Sequence, residues 1–208
     1  MHAGIRYHFL QPDNLVALVD LASSLHVAIA GLESRWLYGA ICRDALDDGR
    51  VVCLVCEVDG QVAGFVMAVL DAAAYWKEFI IRRPFLAAHI FAVRLWRKTA
   101  ETAGAGSAPP SGRGLFETGQ APGSWKESSD RIAKIQFIGV GPSFRGGGIG
   151  VELYRRLAVH LRELGLTRMD ARIAADNPAS IKLHHAAGWK LYSGADGILA
   201  LYPLSMPS

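Results

Sequence analysis

Charge of either sign is sparse in these 208 residues: Lys and Arg number 22 and Asp and Glu 19, together 20% of the chain, where soluble domains carry about 25%. The balance, 22 − 19, is +3. That is far from the concentrated basic face of a nucleic-acid binder, so no nucleic acid is expected as a partner. Long hydrophobic runs are missing as well. Mean hydropathy is positive at +0.20, yet no uninterrupted apolar stretch approaches the roughly 20 residues that span a bilayer. Met1 to Leu10 also lacks the basic-then-apolar order of an export signal. The chain is therefore expected in the cytoplasm. Cysteine is scarce: Cys42, Cys53 and Cys56 are an odd set without an export signal, which argues against a disulfide framework. Cys53 and Cys56 have the spacing of a redox or zinc half-site, but they lie in the apolar run Val51 to Val58, which reads as a strand. Residues three apart on a strand face opposite ways, so buried structural thiols are expected.

The length suits one domain, residues 1–208, carrying an extra segment. Ile5 to Leu10 reads as a strand, Pro12 to Leu25 and Glu33 to Leu46 as helices. Val51 to Val58 and Gln61 to Leu70 flank Asp59-Gly60, a pair suited to the positive φ of a two-residue turn, and predict an antiparallel hairpin. Next comes the unusual piece, 74–130. Amphipathic helices are expected over 74–102, broken at Pro84, and a Gly, Pro and Ser-rich flexible loop over 103–130. Phe85 to Val93 is almost wholly apolar with basic residues on both sides. That composition fits an interfacial helix at an anionic membrane surface, but nearly all-round hydrophobicity is also that of a buried helix and favours a lid or homodimer face packed against protein.

Beyond it the pattern is regular. Ile132 to Val140 reads as a strand, and Gly148 to Leu164 as a helix with Ile149, Leu153, Leu157, Leu161 and Leu164 on one stripe, stopped by Gly165. Thr167 to Ala174 is a further strand, and Asn177-Pro178 fits an N-cap followed by proline at the first helical position. Gly188 ends that helix, and Trp189 to Tyr192 and Ile198 to Tyr202 supply two more strands. The expected fold class is mixed α/β.

Between the strand and the helix stands Ile138-Gly139-Val140-Gly141-Pro142-Ser143-Phe144-Arg145-Gly146-Gly147-Gly148-Ile149-Gly150. Glycines let backbone amides converge on one point, and a first helical turn adds unpaired N–H groups and the positive end of the helix dipole. A pyrophosphate suits such a loop, with Arg145 as an added cation. No Gly-Lys-Ser/Thr follows, so it is not a Walker loop, and no register places all three glycines of a dinucleotide fingerprint.

What fits is Arg-x-x-Gly-x-Gly, formed by Arg145, Gly148 and Gly150 and preceded by Val140-x-Pro142. Here the chain resembles the GNAT superfamily of acyl-coenzyme A dependent N-acetyltransferases. A second match, Asn177 to Trp189, is similar to the superfamily's Asn-to-Gly-Phe helix segment. The resemblance covers Ile132 to Tyr202 well and Ile5 to Leu70 loosely, and leaves out the insertion. It implies a GNAT-like central mixed sheet flanked by helices, acetyl-CoA as cosubstrate without a metal, and an acetyl group moved to a primary amine by direct attack. By the same resemblance the backbone of Ile138, Gly139 and Val140 polarises the thioester carbonyl. Arg145, Gly146, Gly147, Gly148, Ile149 and Gly150 hold the pyrophosphate, and Asn177 contacts the pantetheine or serves only as a helix cap. Where the superfamily usually has a tyrosine that protonates the departing thiolate, this chain has His184, read here as catalytic, as a polar lining or as a buried structural histidine. Asp71, Glu78 and Asp176 are candidates for the proton acceptor by position alone. An aromatic and basic insertion also resembles, more loosely, enzymes that acetylate amino sugars in surface polysaccharide synthesis. That would suit a small-molecule amine acceptor and a peripheral place at the inner membrane surface. A catalytically weak CoA-binding regulatory protein, a membrane-docked interaction protein, and a protein or small-amine acetyltransferase stand as alternatives.

Overall fold

Asp59 and Gly60 take φ of 51° and 81°, the left-handed values a tight hairpin needs. They join β2 (Val51–Val58) to β3 (Gln61–Leu70) in antiparallel register from Val58↔Gln61 to Val51↔Val69. In the computed structural model, which describes residues 4–25, 35–85, 87–88, 91–92, 116–117, 131–194 and 197–204, this hairpin is extended on both sides. β1 (Ile5–Phe9) pairs with β2, and β4 (Ile132–Val140) pairs antiparallel with β3. β5 (Arg168–Ile173) runs parallel to β4, and β6 (Lys190–Gly194) and β7 (Gly197–Pro203) complete a seven-stranded sheet in the order β1-β2-β3-β4-β5-β7-β6. The expected mixed α/β architecture is the one observed.

Two hydrophobic layers are built on this one sheet. Alternate residues of β2 divide between them: Val52, Leu54 and Cys56 face one way, Val51, Cys53 and Val55 the other. Cys53 and Cys56 are thus buried in different layers, and all three cysteines are free. The first layer is covered by α4 (Ile149–Glu163), whose Leu153, Leu157 and Leu161 are fully buried, and by α5 (Pro178–Ala186). The second is covered by α1 (Leu15–Ser24), α2 (Arg35–Asp47) and α3 (Ala72–Arg82).

The first helix of the insertion therefore belongs to the core. Asp71, in a left-handed conformation (φ 44°), caps α3 by accepting from the Ala74 N–H, and Tyr75 and Phe79 are fully buried. Just beyond α3, Arg83 forms a two-pronged pair with buried Asp44 of α2 (2.5 and 2.6 Å), and Asp44 also accepts from Tyr75 Oη at 2.9 Å. A second network ties Arg50 to Asp48 and Glu78, and Arg82 to Asp48. Most of the expected second helix and of the 103–130 loop lies outside the described residues. Phe116 packs on the α4 layer, and the Glu117 N–H donates to Leu191 of edge strand β6. No helix among the described residues is long and apolar enough to cross a membrane.

Candidate active site

β4 and β5 pair only from Ile132↔Arg168 to Ile135↔Ala171, although β4 continues to Val140 and β5 to Ile173. The sheet opens past this point. At the opening the β3–β4 register slips: Met67 faces Phe137 and Ala68 faces Ile135, so Gln136 is an extra residue. Such a bulge bends a strand and increases its twist, which carries β4 away from β5. It also resets the alternation, leaving Ile138 and Val140 half-buried on the α4 side while Gly139 faces the other layer. A Cβ on Gly139 would meet Leu25 Cδ1 at 2.6 Å and Phe65 Cε1 at 2.9 Å, so that glycine answers to packing.

The glycine-rich loop leaves the open end of β4. Gly146 and Gly148 adopt φ of 84° and 77° with open space around them, and Gly148 is the N-cap of α4 without any side-chain cap. The first amides of α4 thus have no side-chain partner and point out of the loop with the positive end of the dipole. Arg145 is exposed beside them, its Nε donating to the Val140 carbonyl at 3.1 Å. Gly150 is different again: its Cβ would sit 2.8 Å from Leu183 Cδ1, so it lets α4 and α5 close on each other. Along the opening, the partly buried Ile138, Val140 and Leu183 give an apolar wall leading inward from the loop. A pyrophosphate at the loop and an apolar-walled arm in the opening fit these residues.

Asn177 lies at the same open end. Its Oδ1 accepts from the Ser180 N–H at 3.0 Å, capping α5, which leaves the amide NH2 as a donor toward solvent. Deeper in the seam between the helices, Tyr154 of α4 meets His184 of α5. They are 1% and 2% exposed. His184 Nδ1 lies 2.7 Å from the Ser180 carbonyl oxygen, which can only accept, so Nδ1 carries the hydrogen. Nε2 is then the acceptor, and Tyr154 Oη donates to it at 2.8 Å. Burial lowers the His184 pKa to about 4, and burial raises that of Tyr154 well above 10. His184 is consequently neutral at physiological pH with both nitrogens engaged, a state unlike the protonated donor that its place in the sequence suggests. Trp189 packs on both rings at 5.0 Å, and its buried indole N–H has no partner among the described residues.

The three carboxylates named as proton acceptors are placed as follows. Asp71 caps α3, and Glu78 takes both Arg50 nitrogens at 2.6 and 2.8 Å. Asp176 is exposed beside Asn177. Sequence reading did not single out Tyr154, whose only signal is a hydroxyl on the apolar stripe of α4. It also passed over Asp170, fully buried on β5 and held by Arg168 Nε at 2.6 Å. Among the described residues no group of three His, Cys, Asp or Glu is placed to hold a metal ion.

With this geometry in view, comparison with known proteins gives a consistent result. A model of the acetyltransferase (GNAT) family matches residues 15–189. The PaiA N-acetyltransferase from Thermoplasma acidophilum, in complex with coenzyme A, superposes with a TM-score of 0.59 at 11% identity, over 96% of this chain and 99% of that one. The ribosomal-protein-S18-alanine N-acetyltransferase from Escherichia coli gives 0.56 at 15% identity, over 99% and 97%. An aminoglycoside acetyltransferase in complex with coenzyme A gives 0.56 at 15%, over 96% and 95%. These likenesses show a shared fold. No curated protein matches the chain by sequence.

Proposed function

The chain belongs to the acetyltransferase (GNAT) family, and from that premise we propose that it transfers an acetyl group from acetyl-CoA to the primary amine of a small molecule. The observation that carries this reading is the opening of the sheet past Ile135 and Ala171, with the uncapped glycine loop at its mouth. Bound there, acetyl-CoA supplies a thioester, an acyl group activated for attack by an amine.

The chain's own groups then divide the work. The α4 amides from Gly148 to Gly150, the loop of Gly146 and Gly147, and the Arg145 guanidinium hold the pyrophosphate. The Asn177 amide NH2 holds the pantetheine. Backbone groups of Ile138, Gly139 and Val140, freed from β5 pairing by the opening, face the acyl carbonyl and stabilise charge there. His184 stands at the deep end as a neutral partner of Tyr154. For the proton acceptor, water reached through the opening takes precedence over Asp71 and Glu78, which are engaged elsewhere.

Amino sugars are the acceptor class to try first, on the resemblance of the insertion and on the aminoglycoside acetyltransferase among the similar folds. Ile81 and Phe85, at and just beyond the end of α3, also offer a contact surface, being 68% and 87% exposed. A second copy of the chain or an anionic membrane surface suits this face, and sedimentation and vesicle flotation separate the two.

Thermal unfolding with and without acetyl-CoA tests the proposal before any acceptor is known. Ligand at about a hundred times its Kd adds roughly 2.7 kcal/mol, and release of CoA thiol with an amine panel then tests transfer. An unchanged unfolding temperature at millimolar acetyl-CoA would remove the cofactor assignment. Binding without amine-dependent thiol release would favour the CoA-binding regulatory reading.

A further inference from the structure

We propose that the cavity between the start of α1 and the end of α2 binds a free α-amino acid with a branched apolar side chain, held by both of its charges. This is a second site, apart from the opening in the sheet.

Its place follows from the topology. β1 ends at Phe9 and the chain turns through Gln11 into α1, while α2 runs the opposite way and ends at Asp47. These two ends enclose a cavity of about 580 Å³, within the roughly 300–1,000 Å³ of small-molecule sites. At its far end α1 reaches Leu25, which lies against Gly139 of β4. The 10 residues of α1, at roughly 1.5 Å each, put about 15 Å between the cavity and the strand of the sheet opening.

The floor of the cavity is apolar. Leu10 is buried, and Leu15 and Leu46 are half-buried against the second layer. A branched aliphatic group laid on this floor leaves water. Two opposite charges stand over it. Arg43 and Asp47 are one turn apart on α2, the spacing at which such charges normally meet, yet neither has a hydrogen bond or ion pair with the other or with any described residue. The neighbouring acids are taken: Asp44 by Arg83 and Tyr75, Asp48 by Arg50 and Arg82. Arg83, the cation on which Asp47 acts from a distance, has both prongs on Asp44.

Opposite charges over an apolar floor match a zwitterion with an aliphatic tail. The Arg43 guanidinium presents the fork that takes a carboxylate, and the Asp47 carboxylate takes an ammonium. Ala45 and Leu46 bring the last turn of α2 to the cavity, and its carbonyls add the negative end of the helix dipole on the ammonium side. An α-carbon carries these two groups side by side and directs its side chain to the floor. A fatty acid would instead set its charge against Asp47, and a simple amine would set its charge against Arg43. Both side chains are exposed, so water screens them and a millimolar Kd is expected.

The test uses the full chain with L-leucine as the probe and no acyl donor present. Methyl 13C spectra of Leu-labelled protein, with Leu15 and Leu46 assigned through Leu15→Ile and Leu46→Ile, are followed as unlabelled leucine is added. Saturable shifts of both residues are expected. Glycine, isocaproate and L-leucinamide lack in turn the side chain, the ammonium and the carboxylate, and each should bind at least about tenfold more weakly. Arg43→Gln and Asp47→Asn should weaken leucine at least about tenfold as well. Both variants should unfold at the parent temperature, since neither side chain bonds to another described residue. Unmoved Leu15 and Leu46 methyls overturn the site. Equal leucine affinity in parent and both variants also overturns it, because leucine then sits elsewhere, as an acceptor in the sheet opening would. Isocaproate or leucinamide binding as tightly as leucine overturns the amino-acid assignment in favour of a plain anion or cation pocket.

Discussion

Gly150 and Leu183 approach so closely that a Cβ on the glycine would stand 2.8 Å from Leu183 Cδ1. The glycine of the motif that reads as a phosphate ligand thus also sets how tightly α4 and α5 close over the split sheet. Gly150→Val should destabilise the protein by about 1–3 kcal/mol through overpacking, whereas Gly147→Ala, whose Cβ meets only Phe144 O at 3.9 Å, should be nearly silent in thermal unfolding. Equal stability of Gly150→Val and parent would mean the seam tolerates the side chain.

Gly148 carries the opposite burden. It has open space but a φ of 77°, where a side chain costs about 1–2 kcal/mol. Gly148→Val should lower the unfolding temperature by about 2–8 °C and weaken acetyl-CoA binding at least about tenfold, since the loop amides no longer converge. Calorimetric titration checks this, and an unchanged Kd would detach the loop from the cofactor.

Acid stability should follow His184. Its unfolded pKa is near 6.5 and burial lowers the folded value to about 4. The unfolded state therefore binds the proton first. The contribution is complete above pH 6.5, declines as pH falls toward 4, and amounts to about 3 kcal/mol. His184→Leu should flatten the unfolding temperature between those values. Below pH 4 a second decline is expected, because Asp48 and Glu152, held near 2 chiefly by side-chain hydrogen bonds from Arg50 and Arg155, lose their pairs on protonation. A parent curve flat from pH 7 to 4 would contradict the buried, neutral imidazole.

The start of the insertion should depend on Asp44. Asp44→Ala leaves Arg83 without its carboxylate and Tyr75 without its acceptor. A cost of about 3 kcal/mol is expected, the low end for a broken buried pair because Arg83 is partly exposed. Proteolysis should then cut sooner within 83–131. Unchanged cleavage would show that α3 holds without the pair.

Glu78→Gln and Asp71→Asn should keep kcat within about threefold, since one carboxylate serves Arg50 and the other an α3 amide. A hundredfold loss in either variant would make that carboxylate the proton acceptor after all.

Local chemistry determined much of what is seen. The Asp59-Gly60 turn, the strand alternation of β2 and β3, the Leu153, Leu157 and Leu161 stripe of α4 and the Asn177 cap are each dictated by residues a few positions apart and were legible from the chain alone, whereas Leu164, read as part of that stripe, follows the last turn and is 50% exposed. So was the glycine-rich turn between β4 and α4, because its left-handed φ angles at Gly146 and Gly148 fall in a run of adjacent glycines of the sequence. What only the tertiary structure decided depends on pairs far apart in sequence. The bulge at Gln136 that opens the sheet exists only in register with Met67 and Ala68. The opposed demands on Gly139 and Gly150 come from Phe65 and Leu183. The neutrality of His184 comes from burial in the layer beneath α4 and α5, and the aim of its Nε2 from Tyr154, 30 positions away. Burial and long-range contact set the protonation state and donor direction of a side chain, and no local pattern of residue types encodes either.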